Sequence, residues 1–305
     1  MSESPIFIGG LDRTGKTSLR LMLSSHPNIA ITRRTYLWTK FYNRYGDLSN
    51  PDNFERCLAD ILALRSMQVI DPNPDQIRIE FTSVAPSYGN LFAIIYRQYA
   101  VRQGKHRWGD QLALIEHYTK EIFSAYPAAK IIHMVRDPRQ RYVESMDTYS
   151  KIKGRLGWDI ARWQHSAELA VNNREKYPQS YKVVNYETLI NDREHTLKKI
   201  CDFIGEEYFP SMLSMDGAMS FSDVDDGERQ EGSKNEKEQE KSRSLSHREV
   251  AFVQSYVRQS MQDFGYPLEP LDFSFGERLA FSVLDYPLNS LGAVAWRVLA
   301  SDQPS

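Results

Sequence analysis

The chain has 305 residues, 41% of them hydrophobic and 26% charged, a balance typical of a soluble globular protein that buries a sizeable core. A formal net charge of -2 excludes a global attraction to nucleic acid or to an anionic membrane surface. No apolar run approaches the roughly 20 residues that a membrane-spanning helix requires, and the first residues show no secretory pattern. We therefore expect a cytoplasmic protein with no membrane span and no nucleic-acid partner.

Apolar periodicity divides most of the chain into alternating strands and helices. Strands are predicted over residues 5–10, 29–32, 76–82, 107–110, 130–135 and 181–186. Helices are predicted over residues 18–25, 51–69, 88–101, 115–126, 138–149, 157–177, 192–204 and 247–261. This alternation indicates an α/β fold whose parallel sheet is joined by right-handed crossovers.

Two segments in the last third of the chain lie outside this alternation. Residues 220–245 mix acidic and basic side chains with few apolar ones, which is typical of a flexible, solvated loop. Residues 271–305 are amphipathic and poor in basic residues, which favours packing over membrane contact. We predict one α/β domain over residues 1–270 and a C-terminal extension over 271–305 that packs on it or forms the interface of a homo-oligomer.

The first predicted strand runs into a glycine-containing loop and then into a helix. Residues 10–17 read G-L-D-R-T-G-K-T, which satisfies the phosphate-loop pattern G-x-x-x-x-G-K-[ST] in its strand-loop-helix context. Gly10 and Gly15 permit backbone torsions that turn successive N–H groups inward, and the start of the helix adds its positive end. Lys16 supplies a cation and Thr17 a hydroxyl group. The segment therefore predicts a site for phosphate groups.

A phosphate loop leaves open an ATP- or GTP-dependent small-molecule kinase. Such an enzyme needs a carboxylate for magnesium at the end of a second apolar strand, whereas the strand over 130–135 ends in Arg136. Asp137 precedes Pro138 and is interpreted as the cap of the next helix. Asp110 follows another predicted strand and is the remaining candidate for a metal carboxylate. The kinase interpretation stays as an alternative.

Two ordered segments make the chain similar to the sulfotransferases that use 3′-phosphoadenosine-5′-phosphosulfate (PAPS). Residues 12–19 (D-R-T-G-K-T-S-L), followed by His-Pro at 26–27, resemble the 5′-phosphosulfate loop of that family and the pair after its helix. Residues 130–139 (K-I-I-H-M-V-R-D-P-R) resemble the strand that carries the family's 3′-phosphate site. In that family an arginine and a serine hold the 3′-phosphate, and the resemblance assigns these roles to Arg136 and Ser145.

A third segment extends the resemblance from residue 5 to about residue 265. Residues 184–189 (V-N-Y-E-T-L) and 197–205 (L-K-K-I-C-D-F-I-G) are similar to the family's "YEDL" strand and "FLG" helix end. The resemblance implies a three-layer α/β/α fold with a central parallel sheet, of the phosphate-loop, sulfotransferase-like type. It also implies metal-independent transfer of the sulfuryl group of PAPS to a hydroxyl or amine of a small-molecule or glycan acceptor.

The resemblance assigns donor binding to the phosphate loop and the 3′-phosphate site. The predicted PAPS-binding residues are Arg13, Thr14, Gly15, Lys16, Thr17, Ser18, Arg136 and Ser145, and no metal ligand is predicted. Among them, Lys16 and Arg13 are also predicted to be catalytic, because their charges stabilise the oxygens of the transferred group. A base must take the proton of the acceptor. Asp110 is the predicted base, and Glu80 and His117 remain as further candidates.

The chain departs from this family at two positions that bear on catalysis. Arg33 and Arg34 fall where several relatives carry a glutamate, and they are candidates to bind an anionic acceptor. Gln111 lies in a region where relatives often have a lysine. An acceptor pocket is predicted around residues 33–45 and 86–99, whose aromatic side chains fit equally well with core packing. A catalytically degenerate nucleotide-binding module is therefore a third interpretation.

Overall fold

The centre of the molecule is a parallel sheet, as the computed structural model of residues 4–112, 114–146, 155–214 and 244–300 shows. Its strands are β1 (Ile6–Gly9), β2 (Ile29–Arg33), β3 (Arg107–Gln111), β4 (Lys130–Val135) and β5 (Tyr181–Asn185). Their order across the sheet is β2-β3-β1-β4-β5. The predicted α/β class and parallel sheet are confirmed.

Helices connect and cover these strands. They are α1 (Lys16–Ser24), α2 (Pro51–Leu62), α3 (Arg65–Ile70), α4 (Pro74–Thr82), α5 (Tyr88–Arg102), α6 (Thr119–Ala125), α7 (Pro138–Met146), α8 (Arg155–Lys176), α9 (Tyr186–Asn191), α10 (Arg193–Ile204), α11 (Ser211–Ser214), α12 (His247–Tyr256), α13 (Arg258–Asp263), α14 (Phe275–Ala280) and α15 (Tyr286–Ala300). A 3₁₀ turn (Ile115–Tyr118) precedes α6, and π-helical turns lie at Leu37–Phe41 and Phe281–Asp285. None of the helices in the described ranges combines the length and apolarity needed to cross a bilayer.

Alternation along β1 explains why the sheet is covered on both faces. Phe7 packs into a core that includes Trp38 and Phe92, whereas its neighbours Ile6 and Ile8 pack into a second core with residues of α1 and α10. Successive side chains of a strand point to opposite faces, so an all-apolar strand requires a layer of helices on each side. The result is the predicted three-layer α/β/α arrangement.

The order of the strands places the end of β1 at the point where a ligand is expected. From β1 the chain passes through α1 to β2, returns to β3 beside β1, and then crosses to β4 and β5 on the other side. In open parallel sheets, ligands bind outside the carboxyl ends of the strands where this order reverses. The loops after β1 and β4 meet at this edge.

One predicted strand is wrong. Residues 76–82 belong to helix α4, because Asn73 accepts hydrogen bonds from the N–H groups of Asp75 and Gln76, and Pro74 opens the first turn. Ile77 and Phe81, four residues apart, face the core, while Ile79 is 64% exposed. The apolar residues at every second position therefore gave the alternating pattern of a strand, although the segment is a helix.

Other differences concern the ends of helices and the last part of the chain. The helix predicted over 51–69 is two helices separated by an extended Leu64, and the helix predicted over 115–126 begins as a 3₁₀ turn. Residues 147–154 and the charged segment predicted at 220–245, up to residue 243, lie outside the described residues. In the C-terminal part, α15 packs on α8, with Ala293 fully buried and the rings of His165 and Trp296 5.6 Å apart.

Candidate functional site

The loop between β1 and α1 turns its backbone through three residues with positive φ. These are Gly10 (107°), Arg13 (63°) and Gly15 (82°). A Cβ atom at Gly10 would lie 2.2 Å from the carbonyl oxygen of Met134, so that position also requires glycine for space. Gly15 is the N-cap of α1 and has no side chain to cap the first N–H groups of the helix. This geometry is suited to bind an anion at the start of α1.

The predicted ligands of this loop divide into two groups. Thr14 and Lys16 are buried: the Thr14 hydroxyl donates to the carbonyl of Leu11 at 2.7 Å, and the Lys16 ammonium donates to the carbonyl of Gly10. Both side chains therefore brace the loop. Arg13, Gly15, Thr17 and Ser18 are only partly buried, and they form its accessible surface.

A buried carboxylate, Glu116, lies directly behind the loop. It accepts a hydrogen bond from the N–H of Gly10 at 3.3 Å and another from the hydroxyl of Ser166 at 3.1 Å. Burial raises the pKa of Glu116, but His133 and Lys16 outweigh burial and hold that pKa below its usual value. Sequence reasoning missed Glu116, because nothing in its local pattern distinguishes it from a surface glutamate.

A charge cluster ties the loop to α7 and α8. Arg141 is fully buried; its guanidinium pairs with Asp159, lies 3.4 Å from Oδ1 of Asp12, and donates to the carbonyl of Asp12 at 3.0 Å. Arg162 lies 3.3 Å from the same carboxylate. Burial raises the pKa of Asp12, but Arg141, Arg162 and Lys16 outweigh burial and lower that pKa to about 2. Sequence reasoning missed this cluster, whose members are separated by up to 150 residues.

Arg136 lies at the end of β4 and meets the loop through a tyrosine. Its guanidinium lies 4.3 Å from the centre of the Tyr186 ring, and its Nη1 donates to the carbonyl of Arg13 at 3.2 Å. A Cβ atom at Gly15 would lie 2.1 Å from the same ring, so the loop packs directly against it. The two predicted phosphate sites are therefore neighbours at one edge of the sheet.

The neighbour of Arg136 on α7 is Glu144 and not Ser145. The two carboxylate oxygens of Glu144 accept from Nη1 and Nη2 of Arg136 at 2.7 and 2.5 Å. Ser145 is fully buried and donates to the carbonyl of Tyr142 at 2.8 Å. Consecutive helix residues point about 100° apart, so only one of the two can face the end of β4. This geometry gives no support to Ser145 as a phosphate ligand.

The turn after Arg136 is held by hydrogen bonds of Asp137 and Glu187. Asp137 accepts from the N–H of Arg139 at 2.9 Å, which confirms it as the cap of α7. The N–H of Asp137 donates to Glu187 at 2.9 Å, and Tyr266 donates to the other oxygen of Glu187 at 3.2 Å. The Tyr-Glu pair at 186–187 thus positions both the side chain of Arg136 and the backbone that follows it.

Asp110, the predicted base, is fully buried at the end of β3. Three hydroxyl groups donate to its carboxylate, those of Thr32 at 2.8 Å, Thr35 at 2.5 Å and Tyr96 at 3.1 Å. Burial raises the pKa of Asp110 above its usual value although these hydrogen bonds lower it. The contacts tie the segment after β2 to the sheet, and they leave the carboxylate no contact with solvent. The geometry gives no support to Asp110 as a base.

The two further base candidates lie elsewhere. Glu80 is on α4, where its carboxylate lies 3.2 Å from the guanidinium of Arg97. His117 is in the 3₁₀ turn, and its ring lies 5.3 Å from the ring of His165. Within the described ranges, no three His, Cys, Asp or Glu side chains lie close enough together to hold a metal ion.

Arg33 and Gln111 end neighbouring strands and are register partners. Thr32 precedes Arg33 and Asp110 precedes Gln111, and the Thr32 hydroxyl donates a hydrogen bond to Asp110 on one face of the sheet. Successive side chains of a strand alternate between faces, so Arg33 and Gln111 lie on the opposite face. Gln111 is 3% exposed; its Oε1 and the Nε of Arg33 are buried and have no hydrogen-bond partner among the described residues. A buried donor at the end of β2 and a buried acceptor at the end of β3 thus have no hydrogen-bond partner among the described residues.

Most of the aromatic residues predicted around an acceptor pocket are packing residues. Trp38 is fully buried, with its ring 5.4 Å from that of Phe92 and 5.1 Å from that of Tyr42. Tyr36, Tyr42 and Tyr45 are partly buried against the same core. These three aromatic side chains of residues 33–45, together with the partly buried Tyr99 of residues 86–99, can offer part of their surface to a ligand.

Known proteins resemble the chain in sequence pattern and in fold. A model of the Sulfotransferase family matches residues 5–210. The structure is similar to the sulfotransferase domain of the olefin synthase from Synechococcus PCC 7002, with 21% identity, a TM-score of 0.60, and coverage of 88% of this chain and 97% of that one. A sulfotransferase domain from the curacin biosynthetic pathway aligns with 16% identity, a TM-score of 0.49, and coverage of 92% and 97%. No curated protein sequence matches the chain. Because the family model covers more than half of its residues, this chain belongs to the sulfotransferase family.

Proposed function

We propose that the chain transfers the sulfuryl group of PAPS to a hydroxyl or amine acceptor, a small molecule or a glycan, without a metal ion. One observation carries the proposal: the loop before α1 and Arg136 are neighbours across the Tyr186 ring. PAPS carries anionic groups at both the 5′ and the 3′ end of its adenosine, and two adjoining sites suited to anions match that arrangement. Membership of the sulfotransferase family supports the same donor.

In the proposed reaction, the loop binds the phosphosulfate. The bond between sulfur and the bridging phosphate oxygen breaks, a bond from sulfur to the acceptor oxygen or nitrogen forms, and the proton of the acceptor passes to solvent water. Negative charge grows on the bridging oxygen and is stabilised by the N–H groups of Lys16, Thr17 and Ser18 and by the Arg13 guanidinium. Lys16, held against the carbonyl of Gly10, contributes its charge from within the loop. The products are the sulfated acceptor and 3′-phosphoadenosine-5′-phosphate (PAP).

We place the acceptor at Arg33 and Gln111. A single hydroxyl group can accept a hydrogen bond from the unpartnered Nε–H of Arg33 and donate one to the unpartnered Oε1 of Gln111. Neither side chain can remove the proton, because an amide is not basic and a guanidinium remains protonated.

Asp110, the predicted base, is fully buried, and this burial favours a second candidate function, a nucleotide-binding module without turnover. A cytoplasmic location and homo-oligomer formation remain expectations from the sequence.

Calorimetric titration with PAP, and separately with ATP, each with magnesium and with a chelator, tests the proposal. We expect metal-independent binding of PAP that is lost in Arg136→Ala and kept in Arg97→Ala, whose guanidinium forms a partly exposed pair with Glu80 of α4. Binding of ATP only with magnesium would overturn the proposal in favour of a kinase. Transfer of sulfur-35 from labelled PAPS to a panel of phenols, amines and sugars then separates an enzyme from a binding module.

A further inference from the structure

The cation at the end of β4 is already paired with a carboxylate of the same chain. The two carboxylate oxygens of Glu144 accept hydrogen bonds from both Nη atoms of Arg136, at 2.7 and 2.5 Å. This fork is the geometry in which a guanidinium binds a phosphate. The Nε of Arg136 is buried and has no hydrogen-bond partner among the described residues. Glu144 therefore occupies the position that an incoming phosphate oxygen pair would take.

The two partners of this contact differ in exposure. The side chain of Glu144 is 45% exposed, whereas that of Arg136 is 12% exposed and rests on the Tyr186 ring. When the pair separates, Glu144 can enter solvent while the guanidinium stays in place. The neighbouring pair of Arg139 and Asp137 differs, since its side chains are 7% and 10% exposed. A buried charge left without its partner is costly, so that pair is a fixed part of the fold.

We infer that Glu144 is an internal competitor for the anion site of Arg136, which a 3′-phosphate must displace. Glu144 thereby sets how strongly the site prefers a nucleotide with a 3′-phosphate over one without. The inference rests on the proposed function, because it takes Arg136 as the residue that meets the 3′-phosphate. Nη1 of Arg136 also donates to the carbonyl of Arg13, a contact that helps to hold the guanidinium in place when the pair opens.

The test compares PAP with 5′-AMP, the same nucleotide without its 3′-phosphate, by calorimetric titration. Glu144→Gln keeps the shape of the side chain and removes its charge. We expect it to bind PAP about tenfold more tightly than the native chain and 5′-AMP within twofold, because competition and repulsion act only on the 3′-phosphate. The matched control Glu175→Gln removes an equal charge from an exposed position near the end of α8 and leaves both affinities unchanged. In Glu144→Gln/Arg136→Ala the gain for PAP disappears.

The outcomes separate this inference from the proposed function. If the native chain and Glu144→Gln bind PAP equally well, or if the variant gains as much for 5′-AMP as for PAP, the inference is wrong and the proposed function stands. If neither protein binds PAP while circular dichroism shows both folded, the proposed function fails and the inference fails with it. Binding of PAP only by Glu144→Gln supports the inference in its strongest form.

Discussion

The charge cluster behind the phosphate loop makes a strong prediction about stability. Arg141→Met removes a fully buried guanidinium and leaves the carboxylate of Asp159, which is also buried, without its main partner. Breaking one side of a buried ion pair costs about 3–5 kcal/mol, because the remaining charge loses its close counter-charge and gains no water. Asp159 keeps only Arg162, whose guanidinium lies 3.8 Å from its carboxylate. We therefore expect the free energy of unfolding to fall by about 3–5 kcal/mol. The carbonyl of Asp12 also loses its donor, so PAP binding should weaken.

Urea unfolding followed by tryptophan fluorescence measures this change, with two controls. Arg97→Met breaks the partly exposed pair with Glu80, at 3.2 Å, and should cost about 0–1 kcal/mol. Arg141→Met/Asp159→Leu removes both buried charges and should recover part of the loss, because an apolar pair needs no counter-charge. The reasoning is refuted if Arg141→Met costs no more than Arg97→Met, or if the double variant is less stable than Arg141→Met by the full cost of a second independent substitution.

Three further predictions concern the loop and the C-terminal helix. Gly15→Ala should abolish PAP binding, because the added Cβ would lie 2.1 Å from the Tyr186 ring at a residue whose φ is 82°. In the control Gly104→Ala, φ is 67° but the space is open, so the free energy of unfolding should fall by about 1 kcal/mol and PAP binding should be kept. The pKa of Asp12 is about 2 instead of 3.8, so its ionised form contributes about 2 kcal/mol of stability above pH 4. This contribution is lost as the pH falls toward 2, and the free energy of unfolding of Asp12→Asn, measured with urea at each pH, should lack this acid limb. Gly157→Ala places a Cβ 1.6 Å from a carbonyl of α15, so limited proteolysis should release the C-terminal segment, whereas Gly276→Ala, with open space, should resist it. Cleavage at equal rates in these two variants would contradict the packing of α15 on α8.

The phosphate loop and most elements of the sheet could be predicted from the sequence, because their signals are local. A glycine at a position of positive φ, a lysine and threonine after it, and an apolar strand before it lie within a dozen residues. The error at α4 was local too: Ile77, Ile79 and Phe81 alternate as in a strand, while the Asn73-Pro74 start of a helix outweighs that alternation.

Contacts within the candidate site were beyond the reach of local patterns. The choice between Glu144 and Ser145 depends on the phase of α7, and one residue turns a helix by about 100°. The burial of Asp110 depends on hydroxyl groups from residues 32, 35 and 96, and the partners of Arg141 lie 18 and 129 positions away. The sequence by itself determined the order of the elements and the position of the phosphate loop, because torsional preference and apolar periodicity act between near neighbours. Only the tertiary structure decided which charges pair and which are buried, because packing brings together groups that are far apart along the chain.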